Sequence, residues 1–212
     1  MKSMTVAVLG AALAVLLFGT GCSLFAEFEF EPTGTDWTPD SSITINRVMG
    51  SQSIPTKGWL PFDLELENED TLVVLMPVPP GLFLMSAEGT VHDVIVLADF
   101  TIEVGPGSST HRIDAFCIDI DADLPDWDDE YTIGKVTDSD KLNRVIDLLR
   151  GKDFLRATAI DSVQDLVWEV TENDELPSAY ITWLESLPDA TDGPDGGRAP
   201  DPALKENFRS RH

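Results

Sequence analysis

The sequence predicts a β-rich α+β fold in which an antiparallel β-sandwich is followed by two or three C-terminal α-helices. Between residues 42 and 121, apolar residues alternate with polar ones or form short apolar runs, and turn-forming residues separate these segments. A period of two is the pattern of half-buried strands. From about residue 138 the apolar residues recur every three or four positions, which is the period of a helix. The change of period places the helices after the strands.

Seven short strands are expected in the first part of the chain. They cover residues 43–45, 62–67, 71–76, 82–85, 94–97, 100–104 and 110–121. Three prolines and a glycine between residues 77 and 81 end the third strand, and segment 105–109 forms a turn before the last one. Short strands at this spacing are typical of an Ig-like sandwich.

The first predicted helix has sequence signals at both ends. Asp138 or Ser139 caps its start, and Gly151 ends it. Its apolar residues fall at i, i+3, i+4 and i+7, namely Leu142, Val145, Ile146 and Leu149. A second helix is expected over residues 154–172 and a shorter third helix over residues 176–187.

Residues 41–188 are expected to form one folded domain, because a chain of 212 residues is long enough for one core and marginal for two. The tail 189–212 is rich in proline, glycine and aspartate and is expected to be disordered. The formal charge of the whole chain is −24, from 38 acidic and 14 basic residues. A field of this sign repels nucleic acid, so no nucleic acid partner is expected. It fits either an acidic surface or one that binds cations.

The N-terminus carries the signals of an exported protein. Lys2 is followed by an uncharged apolar run over residues 6–18 and then by small residues at 19–21. The run is shorter than the roughly 20 apolar residues that a membrane-spanning helix needs. Cys22 follows directly, and the segment resembles a bacterial lipoprotein signal, in which this cysteine becomes the lipidated first residue. It departs from such signals at Gly19, where they usually carry leucine.

This resemblance implies that residues 1–21 are removed as a signal peptide and that residues 22–40 form a lipidated N-terminus and tether. The partner of this segment would be a membrane, held through the lipid, and the location would be the cell envelope. Ser23 after the cysteine, rather than aspartate, favours the outer membrane if the organism is Gram-negative. The alternative is an ordinary secretory signal with an unrelated cysteine.

The second cysteine, Cys117, lies in a different context. Two cysteines in an exported protein would normally suggest a disulfide, but lipid on the sulfur of Cys22 would leave Cys117 without a partner. Cys117 follows Phe116 on a predicted strand, and Gln164 precedes Trp168 by four residues on a predicted helix. These two segments resemble the signature segments of bacterial thioester domains, which occur in surface adhesins of Gram-positive bacteria.

In that family a cysteine sulfur and a glutamine carbonyl condense with loss of ammonia, and a host amine can later attack the thioester. The resemblance implies that Cys117 and Gln164 form the bond and that Phe116 and Trp168 shield it from water. Leu166 departs from the alanine of the family, and a separation of 47 residues is short for it. The alternative is that Cys117 is a small buried hydrophobic residue and Gln164 a polar residue on the helix surface.

An acidic segment follows the last predicted strand. Its carboxylates are Asp119, Asp121, Asp123, Asp126, Asp128 and Glu130. Four of them match positions of the calcium-binding helix-loop-helix motif, but Leu124 stands where that motif needs glycine, and a strand precedes the loop. A looser calcium site in this loop is the candidate metal site, and no other cofactor is expected. The alternative is a solvated acidic loop.

An enzyme is not expected, because the sequence contains no phosphate-binding loop, dinucleotide-binding motif or nucleophile elbow. Four tryptophans either form a ligand-binding face or pack in the core: Trp37, Trp59, Trp127 and Trp183. The sequence favours an envelope-anchored binding or adhesion module for an unknown protein or surface ligand, acting through the thioester if it forms. The alternative is a structural or assembly component of the envelope in which Cys117 is inert.

Overall fold

The computed structural model describes residues 30–154 and 157–190. The predicted signal peptide, the lipid site Cys22 with the predicted tether up to residue 29, and residues 191–212 of the predicted disordered tail lie outside the described residues. In the described part the chain forms nine strands and three helices. The strands are β1 Gly34–Asp36, β2 Ile43–Gly50, β3 Leu60–Asn68, β4 Val74–Val78, β5 Leu82–Ser86, β6 Val94–Ile95, β7 Phe100–Val104, β8 Gly107–Cys117 and β9 Glu130–Thr137. The helices are α1 Asp140–Leu149, α2 Ala157–Asn173 and α3 Ser178–Ser186.

Six of the strands close into an antiparallel barrel. Their order is β9–β2–β3–β8–β6–β5, and β5 pairs again with β9. Strand β1 extends the sheet from β9, and β4 and β7 form a separate two-stranded ribbon. The prediction of a β-rich fold followed by helices is confirmed. In place of the expected Ig-like sandwich of two sheets, the strands form a closed barrel with an additional ribbon.

Strand β9 is the element that closes the barrel, and the sequence pattern does not reveal it. Gly134 and Lys135 interrupt the apolar residues of this segment, so neither a strand period nor a helix period stands out. The register against β5 also shifts between Leu82 and Leu84, as at a β-bulge. Because β9 pairs with both β2 and β5, it joins the two ends of what would otherwise be an open sheet.

The barrel interior is filled by alternating residues of its strands. In β3, Phe62, Leu64 and Leu66 are fully buried, and Tyr131 of β9 lies edge-on against Phe62 with ring centroids 4.9 Å apart. The ribbon contributes buried residues to the same core: Met76, Val78, Ile102 and Val104. Removal of this apolar surface from water is the main force that holds the barrel closed.

The three helices cover one side of the barrel from the outside. Along β6 and β8 the side chains alternate between two apolar clusters, because successive residues of a strand point to opposite faces. Val94 and Cys117 belong to the interior of the barrel. Their neighbours Ile95 and Phe116 pack against the helices. Strand β6 and the C-terminal end of β8 are therefore buried on both faces.

Helix α1 begins and ends at the predicted residues. The Ser139 hydroxyl accepts a hydrogen bond from the Leu142 N–H at 3.4 Å, and Gly151 follows the helix with a φ of +74°. Helices α2 and α3 overlap the predicted second and third helices. Within the described ranges, no helix is both long and apolar enough to cross a membrane.

Part of the segment predicted as a tether belongs to the sheet. The residues described from position 30 onward include β1, in which Gly34 pairs with Thr137 of β9. Gly34 has a φ of +152°, and a Cβ at this position would lie 1.8 Å from the carbonyl oxygen of Val136. Glycine thus permits the close approach of these two strands. The folded part of the chain therefore extends further toward the N-terminus than residue 41.

Candidate functional site

The structure brings Cys117 and Gln164 together at the end of β8. The amide oxygen of Gln164, on α2, accepts a hydrogen bond from the backbone N–H of Cys117 at 2.9 Å. The amide nitrogen of Gln164 donates to the backbone carbonyl of Cys117 at 2.8 Å. Both residues are buried, at 1% exposure for Gln164 and 0% for Cys117. One side chain thus satisfies both backbone polar groups of a single strand residue.

The need for Gln164 follows from the lengths of the two neighbouring strands. Strand β3 starts at Leu60, which is paired with Ala115, so β3 offers no partner further along β8. On the β3 side, the backbone carbonyl of Ala115 accepts a hydrogen bond from the backbone N–H of Trp59. On the β6 side, the backbone N–H of Ile118 donates to the backbone carbonyl of Asp93. The N–H and C=O of Cys117 therefore point to the side where β3 is missing. The amide of Gln164 takes the place of the absent strand.

The thiol of Cys117 belongs to the barrel interior. The side chain packs in the same cluster as Tyr131, whereas the preceding Phe116 packs against the helices. Burial, with a smaller contribution from the charge of Asp119, raises the pKa of the Cys117 thiol well above its ordinary value. A protonated thiol is a weak nucleophile. This environment does not activate the sulfur.

The two predicted shielding residues have different surroundings. Phe116 is fully buried under the helices. Trp168 lies edge-on against Trp59, with ring centroids 5.9 Å apart, and its indole nitrogen is buried without a hydrogen-bond partner in the described structure. Leu166, the departure from the thioester pattern, is buried in the helix core. Formation of a thioester stays a prediction, and it would remove the amide nitrogen of Gln164 and with it the hydrogen bond to the carbonyl of Cys117.

Trp168 also lines a shallow cleft of about 430 Å³ on the outer side of α2. Tyr180 forms part of the same cleft, together with carboxylates from α2: Asp165, Glu169 and Glu172. Two of the carboxylates are engaged, since Glu172 accepts from the backbone N–H of Ile120 at 3.2 Å and Glu169 from Asn173 at 3.1 Å. The bond from Ile120 to Glu172 ties the acidic segment to the end of α2, whereas the bond between Asn173 and Glu169 lies within the helix.

The acidic segment uses several of its carboxylates to hold its own backbone. Asp119 accepts from the N–H of Asp121 at 2.9 Å, and Glu130 forms an ion pair with Arg47 at 2.6 Å. Asp121, Asp123 and Asp128 are exposed. Among the residues that the structure describes, no three acidic, histidine or cysteine side chains come close enough to hold a metal ion.

Calcium binding by this segment stays a prediction. If calcium binds there, its addition in place of a chelator should raise the melting temperature of the wild type and not that of an Asp121→Asn/Asp123→Asn variant, because a ligand that binds only the folded state stabilises it. Equal melting temperatures with calcium and with chelator would contradict the site.

The same segment forms one wall of a cavity beside Trp127. The cavity has a volume of about 330 Å³ and lies where the end of β2 and the start of β3 meet the acidic segment. Its lining residues are Gly50, Ser51, Gln52, Leu60, Pro61, Pro125, Asp126 and Trp127. Trp127 is 52% exposed, whereas Trp37, Trp59 and Trp183 pack against the cores. The four tryptophans thus do not form one face.

The turn that carries Trp127 is held by hydrogen bonds on both sides. Asp126 accepts from the backbone N–H of Trp127 at 2.9 Å, and Asp129 accepts from the N–H of Asp126 at 2.5 Å. The N–H of Gly50 donates to the carbonyl of Asp129 at 3.1 Å, which fixes the turn to the end of β2. A Cβ at Gly50 would lie 2.0 Å from the carbonyl oxygen of Asp126, so only glycine allows this contact.

The sequence pattern points to only part of this cavity. The sequence singles out Trp127 and Asp126 as candidate binding residues, but the opposite wall comes from residues 50–52 and 60–61, more than 60 positions earlier in the chain. Nothing in the local pattern of those residues distinguishes them from an ordinary loop between two strands.

Comparison of the chain with models of known protein families, with curated protein sequences and with solved structures finds no match.

Proposed function

We propose that this chain is an exported, lipid-anchored protein of the cell envelope that acts as a non-covalent surface binding module and not as an enzyme. One observation carries the proposal. A large apolar side chain, that of Trp127, is 52% exposed at the mouth of a cavity and sits on a turn fixed to the barrel.

An exposed tryptophan in this position favours a role in binding. Burial of an indole ring would stabilise the folded protein, and the exposed ring of Trp127 does not contribute this free energy. The hydrogen bonds of the turn hold the backbone of Trp127 in place without a ligand, so that little backbone entropy is lost when one binds. Pockets that combine a few polar groups with aromatic and apolar walls are typical ligand sites.

The location rests on the N-terminal signal. An uncharged run followed by small residues and Cys22 supports export and lipidation. Ser23 favours the outer membrane if the organism is Gram-negative. The net charge of −24 argues against nucleic acid as a partner. The partner is then a protein or another ligand that is displayed at the envelope or outside it.

The buried junction of Cys117 with Gln164 supports non-covalent binding. Both polar atoms of the Gln164 amide already have partners, and the thiol faces the apolar barrel interior. The second candidate function is covalent adhesion through a thioester between these residues. The specific observation in its favour is that the strand and the helix with the two signature segments lie side by side.

The binding role can be tested with envelope material freed of lipid. The full chain, purified in detergent, should sediment with this material, and Trp127→Ala should reduce the bound fraction. Leu75→Ala is the matched control, because Leu75 is 60% exposed on β4 and does not line the cavity. Equal sedimentation of wild type and Trp127→Ala would overturn the proposed site.

The anchor can be tested separately by fractionation of cells. Wild type should be found in the envelope fraction. Cys22→Ser should be found in the soluble fraction, because the serine hydroxyl cannot take the lipid that the thiol carries. Retention of Cys22→Ser in the envelope fraction would contradict lipid anchoring.

A further inference from the structure

We propose that the Trp127 cavity binds a neutral carbohydrate, with one sugar ring stacked on the indole of Trp127. This inference rests on the proposed binding function and names the ligand class of the same site. It follows from three properties of the cavity: an exposed aromatic wall, free polar groups beside it, and the sign of its charge.

The aromatic wall suits the apolar face of a sugar ring. A pyranose presents several C–H groups on one face and hydroxyls around its edge. The indole offers a flat apolar surface of matching size, and such rings combine a large contact area with defined geometry. Pro125 and Pro61 continue the apolar wall around the cavity. Their rings are rigid, so they lose little freedom when a ligand binds.

Polar groups with unused hydrogen-bonding capacity lie beside this wall. In the described structure the side-chain amide of Gln52 makes no hydrogen bond to the protein, and only the Oδ1 atom of the Asp126 carboxylate is engaged. The Ser51 hydroxyl accepts from the N–H of Ser53 at 3.2 Å and keeps its own proton to donate. An amide, a carboxylate oxygen and a hydroxyl together supply the donors and acceptors that sugar hydroxyls need.

The charge of the cavity decides between neutral and charged sugars. No lysine, arginine or histidine lines it, whereas Asp126 does, and the exposed Asp128 lies next to Trp127. An anionic sugar would therefore meet repulsion with no compensating cation. An organic cation is the other candidate, but such ligands are typically held by a cage of several aromatic rings. Trp127 is the single aromatic residue among those lining this cavity.

The volume of the cavity also suits a small carbohydrate. A volume of about 330 Å³ lies at the lower end of the range of about 300–1,000 Å³ found for small-molecule sites. The cavity is open to solvent at Trp127, so a longer glycan can extend outward from the bound ring. One or two sugar rings are the expected contact.

The test is a titration of the full chain, purified in a detergent without a sugar headgroup, with oligosaccharides of defined charge. The neutral probes are the trisaccharides of glucose in α-1,4 and β-1,4 linkage and of N-acetylglucosamine. Two charged probes are added. The anionic probe is a trimer of galacturonic acid, and the cationic probe is choline, which is not a sugar. Calorimetry measures the affinity. At least one neutral trisaccharide should bind, and neither charged probe should.

Three variants locate the bound sugar. Trp127→Ala should weaken binding about tenfold or more, corresponding to about 1.4 kcal/mol or more, and Gln52→Ala by a smaller factor. Trp127→Phe should retain part of the affinity, because it keeps an aromatic face. Leu75→Ala should bind like wild type, and the melting temperature of each variant shows that it is folded.

Three results would overturn the inference. The first is that no neutral trisaccharide binds. The second is that Trp127→Ala, while folded, binds the sugar like wild type. The third is that choline binds in a Trp127-dependent manner, which would make the site one for an organic cation. In each case the proposed binding function would still stand if sedimentation with envelope material depended on Trp127, so the failure of the two proposals can be told apart.

Discussion

The side-chain amide of Gln164 spans the backbone N–H and C=O of Cys117, at 2.9 and 2.8 Å, on the side of β8 where β3 has not yet begun. A buried N–H or C=O without a partner is costly. A single glutamine of helix α2 therefore completes the hydrogen bonding of β8 at Cys117. The same contact explains why these two residues lie together without any need for a bond between sulfur and carbonyl.

Replacing Gln164 by alanine should destabilise the protein. Two buried backbone groups of Cys117 would lose their partners, and the expected cost is about 2–4 kcal/mol of unfolding free energy. Urea denaturation measures it. Asp165→Ala is the matched control, because this neighbour is exposed on the same helix and should change the stability by about 0.5 kcal/mol or less. Similar losses for the two variants would refute the structural role of Gln164.

The buried carboxylate of Asp114 should make stability depend on pH. It accepts hydrogen bonds from the backbone N–H groups of Thr56 and Lys57, both at 2.5 Å. Asp114 thus holds the loop between β2 and β3 on β8. Burial raises the pKa of Asp114 above its ordinary value of 3.8, although these hydrogen bonds and Arg112 act in the opposite direction. The folded state thus keeps a proton that the unfolded state releases.

The contribution of Asp114 should accordingly be full below about pH 3.8 and be lost as the pH rises through the raised pKa. The unfolding free energy of wild type minus that of Asp114→Asn should fall over this range, as urea denaturation at a series of pH values can show. Asp99→Asn, at an exposed carboxylate, controls for the loss of one charge. A difference that rises with pH, or stays flat, would contradict the assignment.

Gly50→Ala should displace the turn that carries Trp127. The new Cβ would lie 2.0 Å from the carbonyl oxygen of Asp126, so the turn must move. We expect a loss of about 1–3 kcal/mol in unfolding free energy together with weaker binding at the cavity. Gly89→Ala is the control, because nothing lies within 4 Å of a Cβ there. If both variants have the stability of wild type, the turn does not pack on Gly50 as described.

Local signals in the sequence predict much of the fold. The helix from Asp140 to Leu149 can be read from its cap, its apolar spacing and Gly151, because these are interactions between near neighbours in the chain. The strands that alternate clearly, such as Leu60–Asn68, are predicted for the same reason. Closure of the barrel depends on pairing between distant segments, and Glu130–Thr137 carries no regular pattern of its own.

The candidate site was predictable only in part, for a related reason. The thioester resemblance singles out Cys117 and Gln164, and they do lie together, but which face of β8 the thiol occupies follows from the barrel. The cavity at Trp127 joins two segments far apart in sequence. Pairing of β2 with β9 places Gly50 against Asp126, and no local pattern encodes that contact.

The most direct test of a non-covalent module is the intact mass of the folded full chain, before and after incubation with methylamine, for wild type and Cys117→Ala. We expect that the two masses differ by the substitution alone and that methylamine adds to neither. We also expect the thiol of Cys117 to react with a thiol probe only after unfolding, because burial raises its pKa. A wild-type mass lower by one ammonia, with methylamine added to wild type and not to Cys117→Ala, would contradict a non-covalent module.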